Sequence, residues 1–192
     1  MSNYKTHEIA GISIAIIIIF IIYNIGNVNY INFLLILLGA YIGSLLPDLD
    51  SQGSYISNKT KPFSTLTNNI FTHRGMTHSL IFWMILNIVM IIGANILLES
   101  FRINSIYLVI GLSFGYLSHL LMDSLTKSGV KLFYPFYNKK FGLRKFRTLY
   151  DEIEMRVICI AFTITILFLI GGIFKLLTYL LFKDYKYKLI VI

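Results

Sequence analysis

The chain has 192 residues, 56% of them hydrophobic, with a mean hydropathy of +0.72. Soluble domains of this size are about 45–50% apolar, and the excess here is gathered into blocks, which excludes an ordinary water-soluble globule. The net charge of +8 would point to nucleic acid on a soluble protein; beside apolar blocks it reports orientation in a membrane, and no nucleic-acid partner is expected.

Five apolar blocks follow in chain order: IAGISIAIIIIFII (9–22), FLLILLGAYIGSLL (33–46), LIFWMILNIVMIIGANILL (80–98), IYLVIGLSFGYLSHLLM (106–122) and VICIAFTITILFLIGGIF (157–174). A spanning helix needs about 20 mostly apolar residues, with a lower limit near 17. The last three blocks meet that, and the first two need flanking residues to reach across. The expected fold is all-α: a polytopic membrane protein with about five transmembrane helices, a single domain over 1–192. The first block follows a lone Lys5 and precedes YNIGNVNYIN, which offers no small-x-small cleavage site, so it reads as a retained helix rather than a signal peptide. Cys159 is the only cysteine, which rules out an intrachain disulfide, and it reads as a small apolar residue.

With five spans, the N-terminus and the 47–79 and 123–156 loops share one side, and they carry twelve of the seventeen Lys and Arg. The positive-inside rule makes that side cytoplasmic. The 51–72 segment, rich in Ser, Thr and Asn, reads as an irregular or partly helical loop. The 127–153 segment alternates aromatic and basic residues and reads as an interfacial anchor facing anionic membrane lipids. Gly39 with Gly43 and Gly111 with Gly115 place small faces on the second and fourth helices, which are expected to pack closely against a neighbour, each other included.

The chemistry-bearing residues collect at the cytoplasmic ends of these blocks: His7 before the first, Asp48 and Asp50 after the second, His73, Arg74 and His78 before the third, His119 and Asp123 at the end of the fourth, and Glu154 opening the fifth. The topology came from hydropathy and basic residues alone, so the convergence of all four histidines with four carboxylates is independent of it. Ionisable groups at membrane depth are costly and usually mark a site. His119 and Asp123, at i and i+4, project from one helix face. A loop turning at Gly75 and entering the helix near Thr77 would aim His73 and His78 inward. Asp48 and Asp50 face one way only in an extended chain, which Pro47 favours. Mixed imidazole and carboxylate ligands suit Zn²⁺, Mn²⁺ or Fe²⁺. Eight candidate ligands exceed one tetrahedral shell, so one or two divalent ions are expected, with Arg74 as partner to a phosphate or oxyanion.

At these residues the chain resembles the YdjM-type family of inner-membrane, metal-dependent hydrolases. The resemblance is carried by THEIAGISIA, LLPDLDS, HRGMTHSL and GYLSHLLMDSLTKSGVKLFYPF in that order, with a weaker match at DEIEMR. The motif positions fall at about 6–10, 47–51, 73–78, 119–126 and 154. The resemblance implies that His7, Asp48, His73, His78, His119 and Asp123 are metal-site positions, while Asp50, Arg74, Thr77 and Glu154 match further motif positions. Family members often carry a histidine after the PDxD stretch, where this chain has Ser51. The family is also similar, distantly, to zinc-dependent phospholipase C and P1-type nucleases, which implies a phosphoester substrate, and a site at headgroup level implies a lipid or lipid-linked one. Zn²⁺ is then the leading metal, with Asp50 or Glu154 as proton acceptor and Arg74 steadying the charge that builds on phosphate. The alternatives are a metal transporter or sensor using the same ligands, whose site would lie nearer the bilayer midplane, and a structural membrane protein with a hydrogen-bonded polar end. The sequence leaves the oligomeric state open.

Overall fold

A computed structural model describes residues 4–26, 29–50, 76–98, 105–126, 128–142 and 149–188. Five α-helices occur among them: α1 (Tyr4–Ile25), α2 (Tyr30–Gly43), α3 (Leu80–Leu98), α4 (Ser105–Leu125) and α5 (Leu149–Lys188). A 3-10 turn spans Leu46–Asp50. The described residues contain no strand, and Val130 and Phe141 form an isolated antiparallel bridge. Three helical stretches, Tyr4–Ile25, Ile106–Leu125 and Ile153–Leu177, are long and apolar enough to cross a membrane, and two shorter apolar helices accompany them. The outward faces are hydrophobic rather than charged, as at Leu34, Ile88 and Phe168, all well exposed, which suits helices solvated by lipid.

Local chemistry sets the ends of these helices. Asn29 caps α2 by accepting the Ile31 N–H at 3.2 Å. Ser79 does the same for α3: its Oγ accepts from the Phe82 N–H at 3.1 Å and donates to the Met76 carbonyl at 2.7 Å. Each supplies a side-chain acceptor to an amide that has no intrahelical partner. At the end of α2 the sequence suggested extended chain at PDLD, but Leu46–Asp50 forms the 3-10 turn instead. Proline is well tolerated in a first helical turn, because its missing N–H has no internal partner to lose there and its φ is already set. Helix α3 begins at Leu80, three residues beyond the expected entry at Thr77. Helix α5 is 40 residues long, far beyond the apolar block that announced it.

Helix α4 is the centre of the bundle, packed on α1, α2 and α3, with α2 its most extensive neighbour. The four interface glycines explain how close that pair comes. A Cβ on Gly39 would lie 2.5 Å from the Leu108 carbonyl oxygen. One on Gly43 would overlap the Leu112 carbonyl, one on Gly111 that of Ile36, and one on Gly115 that of Ala40. Each helix therefore uses its glycines to admit the backbone of the other, as the spacing in the sequence anticipated. Ala15, Ile36 and Ala40 fill the buried centre between α1 and α2, while Ala10, Met122 and Met155 join α1, α4 and α5 at the opposite end. The start of α1, the end of α2, the approach to α3, the end of α4 and the start of α5 thus meet at one end of an alternating bundle.

Candidate metal centre

Four segments bring five ionisable side chains together at that end. His7 comes from the first turns of α1, Asp48 from the 3-10 turn, His78 from the bend before α3, and His119 and Asp123 from the last turns of α4. All are buried: the three histidines are fully enclosed, with Asp48 5% and Asp123 3% exposed. Two overlapping triads, His7–His119–Asp123 and Asp48–His78–His119, have ligand atoms within 4.8 Å of one another.

The tautomers follow from the backbone around them. His119 Nδ1 lies 2.7 Å from the Ser44 carbonyl. A carbonyl can only accept, so Nδ1 carries the proton and Nε2 points its lone pair into the cluster. His78 Nδ1 pairs with Thr77 Oγ1 at 3.1 Å, and the Thr77 carbonyl is in turn held by the buried Tyr116 hydroxyl, which donates to it. Partners of this kind are what orient imidazole ligands at metal sites. The inward atoms, His78 Nε2 and His119 Nε2, are buried with no hydrogen-bond partner.

Those two nitrogens face two carboxylates at separations too long for hydrogen bonds. His78 Nε2 lies 3.8 Å from Asp48 Oδ1 and 3.6 Å from Asp123 Oδ2. His119 Nε2 lies 3.8 Å and 3.7 Å from the same two oxygens. Ligand bonds of about 2.0–2.2 Å give a tetrahedral shell edges of about 3.3–3.6 Å. The four nitrogen-to-oxygen separations lie within a few tenths of an ångström of such edges, which is compatible with these side chains sharing a small divalent cation. Electron-rich atoms converge there on one another, an arrangement that a cation reconciles and direct contact does not. Protons reconcile it less well: the His7 and His119 rings stack at 3.7 Å and 13°, so protonating both sets two positive charges face to face. His7 Nε2 sits 3.5 Å from the other Asp123 oxygen, Oδ1, which makes Asp123 the carboxylate shared by both halves of the cluster. Asp48 is held below its ordinary value of 3.8; burial pushes it up, and the nearby His78 imidazole together with the His119 and His7 charges outweighs that.

Of the residues singled out in the sequence, His7, Asp48, His78, His119 and Asp123 are thus brought together. Glu154 is exposed on the first turns of α5. His73 and Arg74, and the side chain of Asp50, lie outside the described residues. Two supporting groups escaped sequence reasoning. The Ser44 carbonyl is a backbone atom and leaves no signature in residue type. Arg156 reaches across from α5 so that its Nε donates to the buried Thr6 Oγ1 at 3.0 Å, beside His7; Thr6 stands in the first motif and Arg156 in the last, so their adjacency was the only available signal.

Comparison with known proteins agrees with this arrangement. The family model described as "YdjM inner membrane protein" matches residues 1–189. The chain is 33% identical over 94 residues to the uncharacterized protein YvsG of Bacillus subtilis (strain 168), covering 49% of this chain and 53% of that one. It is 32% identical over 102 residues to the inner membrane protein YdjM of Escherichia coli (strain K12), covering 52% and 49%, and equally similar to YdjM of Shigella flexneri. The chain spans about half the length of the curated relatives it matches. No solved structure matches it. The family match over nearly the whole chain, on a bundle of apolar helices closed at one end by a buried His/Asp cluster, makes this chain a member of the YdjM inner membrane protein family.

Proposed function

We propose that the protein is a membrane-bound, metal-dependent hydrolase that cleaves a phosphoester of a lipid or lipid-linked substrate at the cytoplasmic membrane face. The observation that carries the reading is the pair of buried, unpartnered Nε2 atoms of His78 and His119 trained on Asp48 and Asp123. Its position at one end of the bundle favours a substrate at headgroup level over an ion in transit, whose site belongs nearer the midplane. His119 Nε2 has a single lone pair and its Nδ1 is spent on Ser44, so the two triads compete for it and the described ligands provide for one ion. Zn²⁺ suits the N₂O₂ set, and Mn²⁺ or Fe²⁺ are the other candidates. A second ion would draw on His7, the Oδ1 side of Asp123 and groups such as His73.

When bound, the cation supplies Lewis-acid polarisation of a phosphoester oxygen and a lowered pKa for water. The chain's own residues divide the remaining work. Arg74 neutralises charge that builds on the phosphate, as a guanidinium fork suits phosphate oxygens. Asp50 or Glu154 accepts the proton of the attacking water. The Ser44 carbonyl holds His119 in the ligating tautomer, and the Thr77 hydroxyl orients the His78 ring. All five helices cross the membrane in this reading, with the N-terminus and the cluster on the cytoplasmic side; α2, with only 14 helical residues, relies on the turns at its ends to complete its crossing. The helical, His/Asp-rich ligand chemistry resembles that of phospholipase C and P1-type nucleases, which is the basis for choosing a phosphoester.

Elemental mass spectrometry on detergent-purified protein tests the metal. Wild type should carry a stoichiometric divalent metal, and a His78→Ala, Asp123→Ala double variant of verified fold should carry none. Hydrolysis is tested separately: metal-loaded protein should release product from a panel of phosphodiester lipids, and His119→Ala should abolish release. Equal turnover by that variant would remove the cluster from the chemistry.

A further inference from the structure

Beside the cluster, α1, α4 and α5 leave an apolar cavity of about 430 Å³. It reaches from Leu80, Leu132 and Ser124 at the cluster end to Phe114 and Ile17 deeper in the bundle. Ser124 to Phe114 is ten residues of α4, or about 15 Å at 1.5 Å per residue, which is half the roughly 30 Å hydrocarbon core. The groove is therefore one leaflet deep. Three of its four wall hydroxyls offer little to a polar ligand: Ser118 Oγ donates to the Gly115 carbonyl, Ser124 Oγ to Leu121 and Thr163 Oγ1 to Cys159, each within its own helix.

The cluster end has different chemistry. Ala10 and Met122 line the groove and stand three residues from His7 and one from Asp123. Leu132 is pinned there because its carbonyl accepts the Leu80 N–H at 2.8 Å. That bond ties the 128–142 segment to the groove at Leu132, and the same segment carries exposed Lys139, Lys140, Phe136 and Tyr137. An apolar slot one leaflet deep, running toward the end of the bundle that holds the His/Asp cluster and joined there to a basic, aromatic segment, matches an amphiphile with one chain in the slot and a negative headgroup at that end.

We propose that this groove holds one acyl chain of an anionic phospholipid and so presents the headgroup phosphate to the cluster, an assignment that rests on the hydrolase reading above and names its substrate class. The test reconstitutes the full chain in bilayers containing phosphatidylglycerol with a photoactivatable diazirine near the end of one acyl chain, and maps adducts by mass spectrometry. Adducts should concentrate on Leu117 and Thr163 in the groove relative to the lipid-exposed Phe168. Ser13→Phe, which narrows the slot from α1, should lower the groove adducts severalfold and leave those at Phe168 unchanged; Leu117→Trp narrows it from α4 and serves if the first variant fails to fold. Replacing the probe with a phosphatidylcholine counterpart should also lower groove labelling severalfold. Groove labelling no stronger than at Phe168, or unaffected by both folded variants, overturns the acyl site, and equal labelling by the two headgroups overturns its anionic preference. Cleavage is followed in parallel with the metal-loaded protein: loss of lipid cleavage alone in the narrowed variants, with a water-soluble phosphodiester still cleaved, supports the groove as the substrate's seat. Groove adducts without cleavage of any phosphodiester by wild type would sink the hydrolase reading and leave the acyl site standing.

Discussion

At the scale of single residues, the cluster depends on atoms that are not themselves ligands. Thr77 offers His78 the hydroxyl that fixes its ring. Thr77→Val removes that hydroxyl at nearly constant volume, and it should weaken metal affinity about 10–100-fold, as loss of such supporting bonds typically does, while a chelator-competition titration finds the metal count at saturation unchanged. Acidification acts through the ligands directly, since an imidazole must be deprotonated to bind metal. Asp48 is already held below 3.8 and stays ionised well below neutrality. Asp48's own contribution to stability has the depressed-carboxylate sign: it is present above 3.8 and is lost as pH falls through the lowered value. Unfolding of the metal-free protein followed against pH should therefore show this contribution intact above 3.8 and fading only below it.

At the scale of elements, the glycine pairs make the α2–α4 contact the part of the bundle least tolerant of added volume. Gly115→Ala would drive a methyl group into the Ala40 carbonyl, and overpacking of this kind costs about 1–3 kcal/mol or more. Gly93→Ala and Gly172→Ala meet nothing within 4 Å and should be neutral, or stabilising by up to about 1 kcal/mol through helix propensity. Thermal unfolding in detergent, followed by circular dichroism, separates the two classes. This contact was readable in the sequence because four-residue glycine spacing is a surface property of one helix. The cluster was readable for a related reason: His7, Asp48, His78, His119 and Asp123 all flank apolar blocks, and block ends in an alternating bundle fall on the same side. The 3-10 turn at Leu46–Asp50 was not, because Pro47 is compatible with both an extended chain and a first helical turn. Nor was the length of α5, since beyond Phe174 the segment KLLTYLLFKDYKYK alternates charge with apolar residues and gives no clean end signal.

At the scale of the whole molecule, the proposed orientation, with the cluster end in the cytoplasm, rests on the positive-inside rule and has its own test. In a Cys159→Ala background, single cysteines replacing Lys59 and Lys139 should react with a membrane-impermeant maleimide only after the cytoplasmic side is opened. Labelling from outside intact cells at either position would reverse the orientation.

The spread of the cluster along the chain also sets a timetable for its birth. His7 is made first and must wait through Asp48 and His78 until Asp123 has been synthesised, by which time the ribosome has passed nearly two thirds of the chain. No ion can be held by the full set before α4 has entered and docked against α2 through its glycines. In the proposed reading, metal loading would accordingly be a late event that reports successful assembly, tying α1 to α4 once both are in place.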